Sequence, residues 1–147
     1  MRLLEREQLV PLPRAQVFAF FSEAANLERL TPRSLRFEIL TPPQLMRAGA
    51  VIDYRIHLFG VPMRWRTLIE VFEPETRFVD VQVRGPYKLW RHSHEFEEVA
   101  GGTLMKDRVE YEVGFGPLGE IARRVFVDRQ VASIFDYRRE AVARHVR

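Results

Sequence analysis

The sequence predicts an α+β fold in which a curved antiparallel sheet of seven strands wraps around one long C-terminal helix. Three observations predict it: two short helical segments follow the first strand, a run of β-type segments occupies residues 35–113, and residues 120–146 have helical periodicity. The apolar face of such a sheet needs a cover, which the long helix can provide. This architecture leaves a hollow between the helix and the sheet.

The N-terminal part is predicted as one strand and two short helices. A strand at 3–10 stops at Pro11, because proline cannot donate to a strand ladder. Apolar residues then recur at helical spacing within 14–21, and a shorter helix at 26–30 ends at the Thr31-Pro32 step.

The central part is predicted as six strands separated by turn residues, chiefly proline and glycine pairs. The strands cover residues 35–41, 50–59, 63–72, 77–84, 87–97 and 103–113.

The strands at 50–59 and 63–72 form a hairpin whose register follows from a turn at Gly60-Val61. This turn would set Leu58 opposite Met63 and Ile52 opposite Ile69. One face is then apolar, and the other carries the polar side chains of Asp53, Arg55, His57, Arg64, Arg66 and Glu70.

The strand at 77–84 has two readings. Either its valines face inward or Phe78, Asp80 and Gln82 do, and a bulge near Gly85 would decide between them. We expect the valines inside, with Asp80 outside near Arg64 or Arg66.

The C-terminal helix would be roughly 40 Å long at 1.5 Å per residue. Its predicted apolar stripe consists of Leu118, Ile121, Ala122, Val125, Phe126, Ala132 and Phe135.

Composition indicates a single domain, residues 1–147, of an intracellular and cytoplasmic protein. There are no cysteines, the charged N-terminus is unlike a signal peptide, and no apolar run approaches the roughly 20 residues of a membrane span. The net charge is +3 and the arginines are dispersed, which argues against nucleic acid as a partner. Arg138 and Arg139 are interpreted as cations that complement the helix C-terminus.

The most informative segment is the strand that contains Trp90, His92, His94 and Phe96. Alternate strand residues share a face, so these four side chains lie on one side. If the hairpin closes tightly, the residues opposite them are Met105, Asp107, Val109 and Tyr111. Few packed cores hold so many polar tips, because each buried one needs a partner. The segment therefore predicts the wall of a ligand cavity.

Several chemical roles fit His92, His94 and Asp107. The two imidazoles are close enough to share a metal, with Asp107 as a possible third ligand, but no fourth ligand is evident. We therefore expect neither a metal nor another cofactor. Alternatively, the imidazoles pair with Asp107 or Tyr111, or orient a ligand. His94 and Asp107 are also the candidates for a catalytic acid–base pair.

The other predicted ligand-binding residues are aromatic. Rings with polar tips suit a flat or ring-containing ligand, although core packing explains them more simply. With the residues above, the predicted ligand-binding set is Tyr54, Trp65, Trp90, His92, His94, Asp107, Tyr111 and Phe126.

Several phrases of the sequence resemble the START-like, or SRPBCC, superfamily. They are Phe37-Glu38-Ile39-Leu40-Thr41-Pro42, Ile52-Asp53-Tyr54-Arg55-Ile56, Trp65-Arg66-Thr67, and Gly85-Pro86-Tyr87 followed by Trp90-x-His92-x-His94-x-Phe96. Within the superfamily they look like bacterial ligand-binding proteins grouped with polyketide cyclase/dehydrase and CoxG-like sequences. The resemblance covers essentially the whole chain and implies the helix-grip fold.

The resemblance implies binding of a small hydrophobic or aromatic molecule, such as a lipid, an isoprenoid or a polyketide-like compound. An alternative is a cyclase or dehydratase that uses His94 and Asp107. A third hypothesis is an interaction module with a filled interior, in which the outer face pairs with a partner, for example in a homodimer.

Overall fold

The computed structural model describes residues 1–146. In chain order the elements are β1 (Arg2–Val10), α1 (Arg14–Phe21), two 3-10 helices (Ala24–Leu30 and Arg33–Leu35), β2 (Glu38–Ile39), β3 (Val51–Leu58), β4 (Val61–Glu73), β5 (Arg77–Arg84), β6 (Leu89–Val99), β7 (Gly102–Glu112), α2 (Gly116–Ala122), a π-helical segment (Arg123–Val127) and α3 (Asp128–His145). No helix among residues 1–146 is long and apolar enough to cross a membrane.

The seven strands form one antiparallel sheet in the order β1-β7-β6-β5-β4-β3-β2, and the C-terminal helix packs on it. The predicted α+β class and helix-grip architecture are confirmed. The strand predicted at 35–41 is largely wrong, since only Glu38–Ile39 pairs with β3. Arg36 has a left-handed backbone (φ 47°), which interrupts an extended chain at that point.

The hairpin of β6 and β7 has the predicted register. His94 lies opposite Asp107, His92 opposite Val109 and Trp90 opposite Tyr111. Residues directly opposite each other in an antiparallel pair share a face, so this register assembles the predicted polar and aromatic wall.

The hairpin of β3 and β4 has the predicted faces but a register shifted by two residues. Its turn is Phe59-Gly60, both with positive φ, and Leu58 pairs with Val61 rather than with Met63. Two-residue turns of this conformation match the strand twist, and glycine adopts the second position without strain. A two-residue shift keeps every side chain on its predicted face.

The expected orientation of β5 is wrong. Asp80 lies directly opposite His92, and Phe78 opposite His94, so Asp80 shares the inner face with the histidines. The pairing of β4 with β5 shifts register between Arg66 and Thr67 and again between Ile69 and Val71. Such irregularities change the alignment of neighbouring strands, and the strand's own sequence does not reveal them.

The predicted helix stripe is correct at Phe135 and wrong at its N-terminal end. Leu118, Ile121, Val125 and Phe126 are all more than half exposed, and the buried residues of α3 are Val131, Phe135, Arg138, Ala141 and Val142. The π-helical segment between α2 and α3 explains the difference. Its wider turn rotates the preceding side chains away from the face that an uninterrupted α-helix would bury.

Candidate functional site

A cavity of about 140 Å³ lies between the sheet and the C-terminal helix. The walls are mostly apolar, and polar side chains are concentrated at one end. The lining residues are Phe21, Leu27, Leu30, Thr31, Leu35, Phe37, Met46, Ile52, Tyr54, Ile56, Leu58, Trp65, Thr67, Ile69, Phe78, Asp80, Tyr87, Trp90, His92, His94, Ile134, Phe135 and Arg138.

An aromatic wall forms one side of the cavity. The rings of Tyr54 and Trp65 are 5.8 Å apart, and Trp90 meets Trp65 edge-on with centroids 5.2 Å apart. The Nε1–H of Trp65 is buried without a hydrogen-bond partner within residues 1–146. Most buried donors in proteins are paired, so this indole N–H is an exception within the aromatic wall.

A buried network of polar side chains forms the polar end of the cavity. His92 Nε2 is 2.8 Å from Asp107 Oδ1, and His94 Nε2 is 2.5 Å from Asp80 Oδ2. Arg138 donates from one terminal guanidinium nitrogen to His94 Nδ1 at 3.2 Å and to Asp107 Oδ1 at 3.3 Å. The five side chains thus form one connected set in which each carboxylate faces an imidazole.

Protonation of His94 follows from its contacts. Arg138 can only donate, so Nδ1 of His94 is the acceptor and the ring proton lies on Nε2, which donates to Asp80. Burial, reinforced by neighbouring His92, lowers the pKa of His94 to about 4 against the opposing effect of Asp80. His94 is therefore neutral at pH 7.

Both carboxyl groups are ionised at neutral pH. Burial alone would raise the pKa of Asp107, but Arg138 and the hydrogen bond from His92 hold it well below its usual range. Burial likewise opposes ionisation of Asp80, and the hydrogen bond from His94 lowers its pKa below the usual value. The network is thus a set of ionised acids beside a buried guanidinium.

Asp80, His92 and His94 also bring three potential metal ligands within 4.8 Å of one another. His94 Nε2 is already hydrogen-bonded to Asp80, and the imidazole rings stack with their centroids 3.6 Å apart. Imidazole lone pairs lie in the ring plane, so two stacked rings direct theirs along nearly parallel lines instead of toward one ion, and the Arg138 cation lies next to them. These contacts favour a hydrogen-bonded network over a metal site.

Five of the predicted ligand-binding residues line the cavity: Tyr54, Trp65, Trp90, His92 and His94. Asp107 is not part of the lining, and it lies behind the imidazoles where it accepts from His92. Asp107 thus does not line the cavity and is hydrogen-bonded to a histidine, while its predicted contact with a ligand stays a prediction.

Tyr111 and Phe126 do not line the cavity either. The hydroxyl of Tyr111 donates to Asp128 Oδ1 at 2.6 Å, and burial together with this carboxylate raises the pKa of Tyr111 to about 12. Phe126 is 58% exposed and contacts Phe59 on the surface. The π-helical segment that includes Phe126 gives the physical reason, since it turns this ring outward.

Two residues of the polar end, Asp80 and Arg138, were missed by the sequence reasoning. Arg138 is 8% exposed and lies on the inner face of α3, not at an exposed helix end. A signal was present, because Arg138 is three residues after Phe135 and four before Val142, the spacing of one helix face. For Asp80 the signal was the alternation with Phe78, which the valines of the same strand obscured.

A family model described as "Polyketide cyclase / dehydrase and lipid transport" matches residues 10–134. No curated protein matches the chain.

Solved structures of similar fold cover nearly the whole chain. Protein CV1439 from Chromobacterium violaceum is 12% identical with a TM-score of 0.76, covering 99% of this chain and 98% of that one. TTHA0849 from Thermus thermophilus is 21% identical with a TM-score of 0.65, covering 96% and 97%. A START superfamily protein from Mycobacterium smegmatis is 11% identical with a TM-score of 0.72, covering 98% and 96%. At these identities the likeness shows the fold alone.

Proposed function

The chain belongs to the polyketide cyclase/dehydrase and lipid transport family, and from that premise we propose that it binds a small hydrophobic or aromatic molecule. The ligand would be a lipid-, isoprenoid- or polyketide-like molecule, either compact or with only its ring-bearing end in the cavity between the sheet and the C-terminal helix. The observation that carries the proposal is this cavity, apolar and aromatic over most of its wall and polar at one end. Ligand sites in proteins have this composition, because apolar walls supply affinity and a few polar groups fix orientation.

Five residues of the lining are proposed to contact the ligand: Tyr54, Trp65, Trp90, His92 and His94. The aromatic rings of this set would pack against its apolar body. Asp107 would act indirectly by holding His92, and Arg138 by holding His94 and Asp107.

Native mass spectrometry of protein purified without lipid removal tests the proposal. A bound mass, identified after denaturation, is expected in the wild type. The substitution Ile134→Trp should displace it, because Ile134 lines the cavity and indole would fill that space. Ile121→Trp is the matched control, since Ile121 is 60% exposed and does not line the cavity. An empty protein that also ignores a broad panel of hydrophobic compounds in thermal-shift assays would refute the proposal.

A cyclase or dehydratase activity with His94 and Asp107 as acid and base is the second candidate. One observation favours such chemistry: the neutral His94 imidazole lies at the cavity wall, hydrogen-bonded to a carboxylate. The carboxylate that bonds His94 at the wall is Asp80. Asp107 lies behind the wall, with its Oδ1 3.4 Å from His94 Nδ1. Turnover of a bound compound that His94→Gln abolishes, with binding retained, would establish an enzyme.

The interaction module predicts a filled interior, which the cavity argues against. A homodimer stays a prediction, and light scattering over a range of concentrations would test it.

A further inference from the structure

Asp80 has unused capacity to accept hydrogen bonds at the cavity wall. Within residues 1–146 its hydrogen bond from His94 goes to Oδ2, and the nearest nitrogen of His92 is 3.8 Å from the same oxygen, beyond hydrogen-bond distance. An ionised carboxylate offers about four lone-pair positions on its two oxygens. The side chain is 18% exposed and Asp80 lines the cavity, so a ligand can reach it.

The two carboxylates of the polar end differ in their cationic partners. Arg138 lies 3.3 Å from Asp107 and offsets its charge. Asp80 is held by the neutral imidazole of His94 instead. His92 donates to Asp107, and its other nitrogen makes no hydrogen bond with the described residues. Among residues 1–146, Asp80 is therefore the carboxylate of the polar end that has no guanidinium within 4 Å, and it lines a space with aromatic walls.

The size of the cavity limits what can meet this charge. A volume of about 140 Å³ is close to that of an engineered apolar cavity of about 150 Å³ that binds benzene. One ring with a small polar substituent fits such a space. Aromatic faces also attract cations, so the surroundings of Asp80 suit a positive group as well as a neutral donor.

Resting on the proposed function, we infer that the ligand presents a ring whose polar group donates a hydrogen bond to the Asp80 carboxylate. The donor is a hydroxyl or an ammonium group, and both have the chemistry that an ionised, incompletely bonded carboxylate selects. Asp80 is then the residue that determines specificity at this end of the cavity. Groups that only accept hydrogen bonds are disfavoured there, because they would face an anion without a shared proton.

The affinities of four single-ring probes of similar size, measured by calorimetry, test the inference. Toluene has no polar group, and anisole only accepts hydrogen bonds. Phenol donates a hydrogen bond from a neutral hydroxyl, and benzylamine donates from a cationic ammonium group. At least one of phenol and benzylamine is expected to bind about tenfold or more tightly than toluene, which corresponds to about 1.4 kcal/mol. Anisole should bind no better than toluene. The better donor identifies the group as hydroxyl or ammonium.

Asp80→Asn, which keeps the shape and removes the charge, should lower the affinity of the preferred donor by about tenfold and leave toluene within about twofold. Asp53→Asn is the matched control, because Asp53 pairs with Arg66 on the outer face of the sheet. Its binding of all four probes should equal that of the wild type.

Three outcomes would overturn the inference. Toluene binding as tightly as both donors would show that the cavity accepts rings without selecting a donor, which leaves the proposed function intact. A donor preference that survives in folded Asp80→Asn would show that Asp80 is not the acceptor. If no probe binds although native mass spectrometry finds a ligand in the wild type, the inference fails and the proposed function stands; if neither experiment finds anything bound, both fail. Should Asp80→Asn not fold, the affinities of the four probes for the wild type still decide whether the cavity selects a hydrogen-bond donor.

Discussion

Replacing Arg138 with methionine removes the one guanidinium of the buried network while keeping most of the side-chain volume. The guanidinium lies 3.2 Å from His94 Nδ1, 3.3 Å from Asp107 Oδ1 and near the rings of Phe21 and Phe135. Removal of one partner from a buried ion pair costs about 3–5 kcal/mol, because the other charge is left unpaired. We expect Arg138→Met to lose this much free energy of unfolding at neutral pH, a fall in Tm of about 6–20 °C for a chain of this size.

The loss should shrink as the pH falls. In the wild type the pKa of Asp107 is depressed, so its stabilising contribution is present above its unfolded pKa and disappears as the pH drops through the folded value. Without Arg138, the largest effect that lowers this pKa is gone while burial still raises it, so the pKa of Asp107 is higher in the variant than in the wild type. The variant therefore takes up a proton at higher pH and then no longer buries an unpaired charge. The difference between wild type and variant should therefore be smaller at about pH 5 than at about pH 7.5.

Urea unfolding followed by circular dichroism measures both effects. Arg129→Met is the matched control, because Arg129 is exposed on the same helix and a surface substitution should stay within about 0.5 kcal/mol. The double variant Arg138→Met/Asp107→Asn should recover part of the loss, since no unpaired charge then remains at position 107. A loss below about 1 kcal/mol, or one that does not change with pH, would refute the reasoning about the network.

Three further predictions concern single side chains. His94→Gln should flatten the pH dependence of stability. The unfolded imidazole takes up a proton near pH 6.5 and the folded one only at about 4, so the wild type loses up to about 3 kcal/mol of stability as the pH falls through that window. Equal slopes of wild type and variant in urea titrations would contradict this. Tyr111→Phe should lose about 1.5–3 kcal/mol of stability, because the Tyr111 hydroxyl donates a hydrogen bond to a carboxylate. Its affinity for toluene, measured by calorimetry, should not change. A large loss of affinity would place Tyr111 in the ligand site. Phe126→Ala should leave the affinity for toluene and the rates of its binding within about twofold in stopped-flow measurements, since the Phe126 ring is exposed outside the cavity. Slower entry of toluene into the variant would assign Phe126 to the cavity mouth.

Strand alternation made part of the site predictable. The positions of Trp90, His92 and His94 on one face, with Asp107 opposite His94, follow from a period of two and a tight hairpin, and the structure has this register. The same rule kept the faces of β3 and β4 correct even though the turn lies one residue earlier and the register differs by two.

Three features were predictable from the sequence: the fold class, the order of most elements, and the aromatic and imidazole side of the cavity. Each depends on periodicity within one element or one hairpin. Which acids and cations meet at the cavity depends on packing between elements. Asp80 faces the histidines because β5 is aligned by β6, and Arg138 completes the network because α3 is seated against the sheet after a π-helical turn. Local spacing assigns Asp80 and Arg138 each to a face of its own element, but the register between strands and the seating of the helix decide which groups they meet.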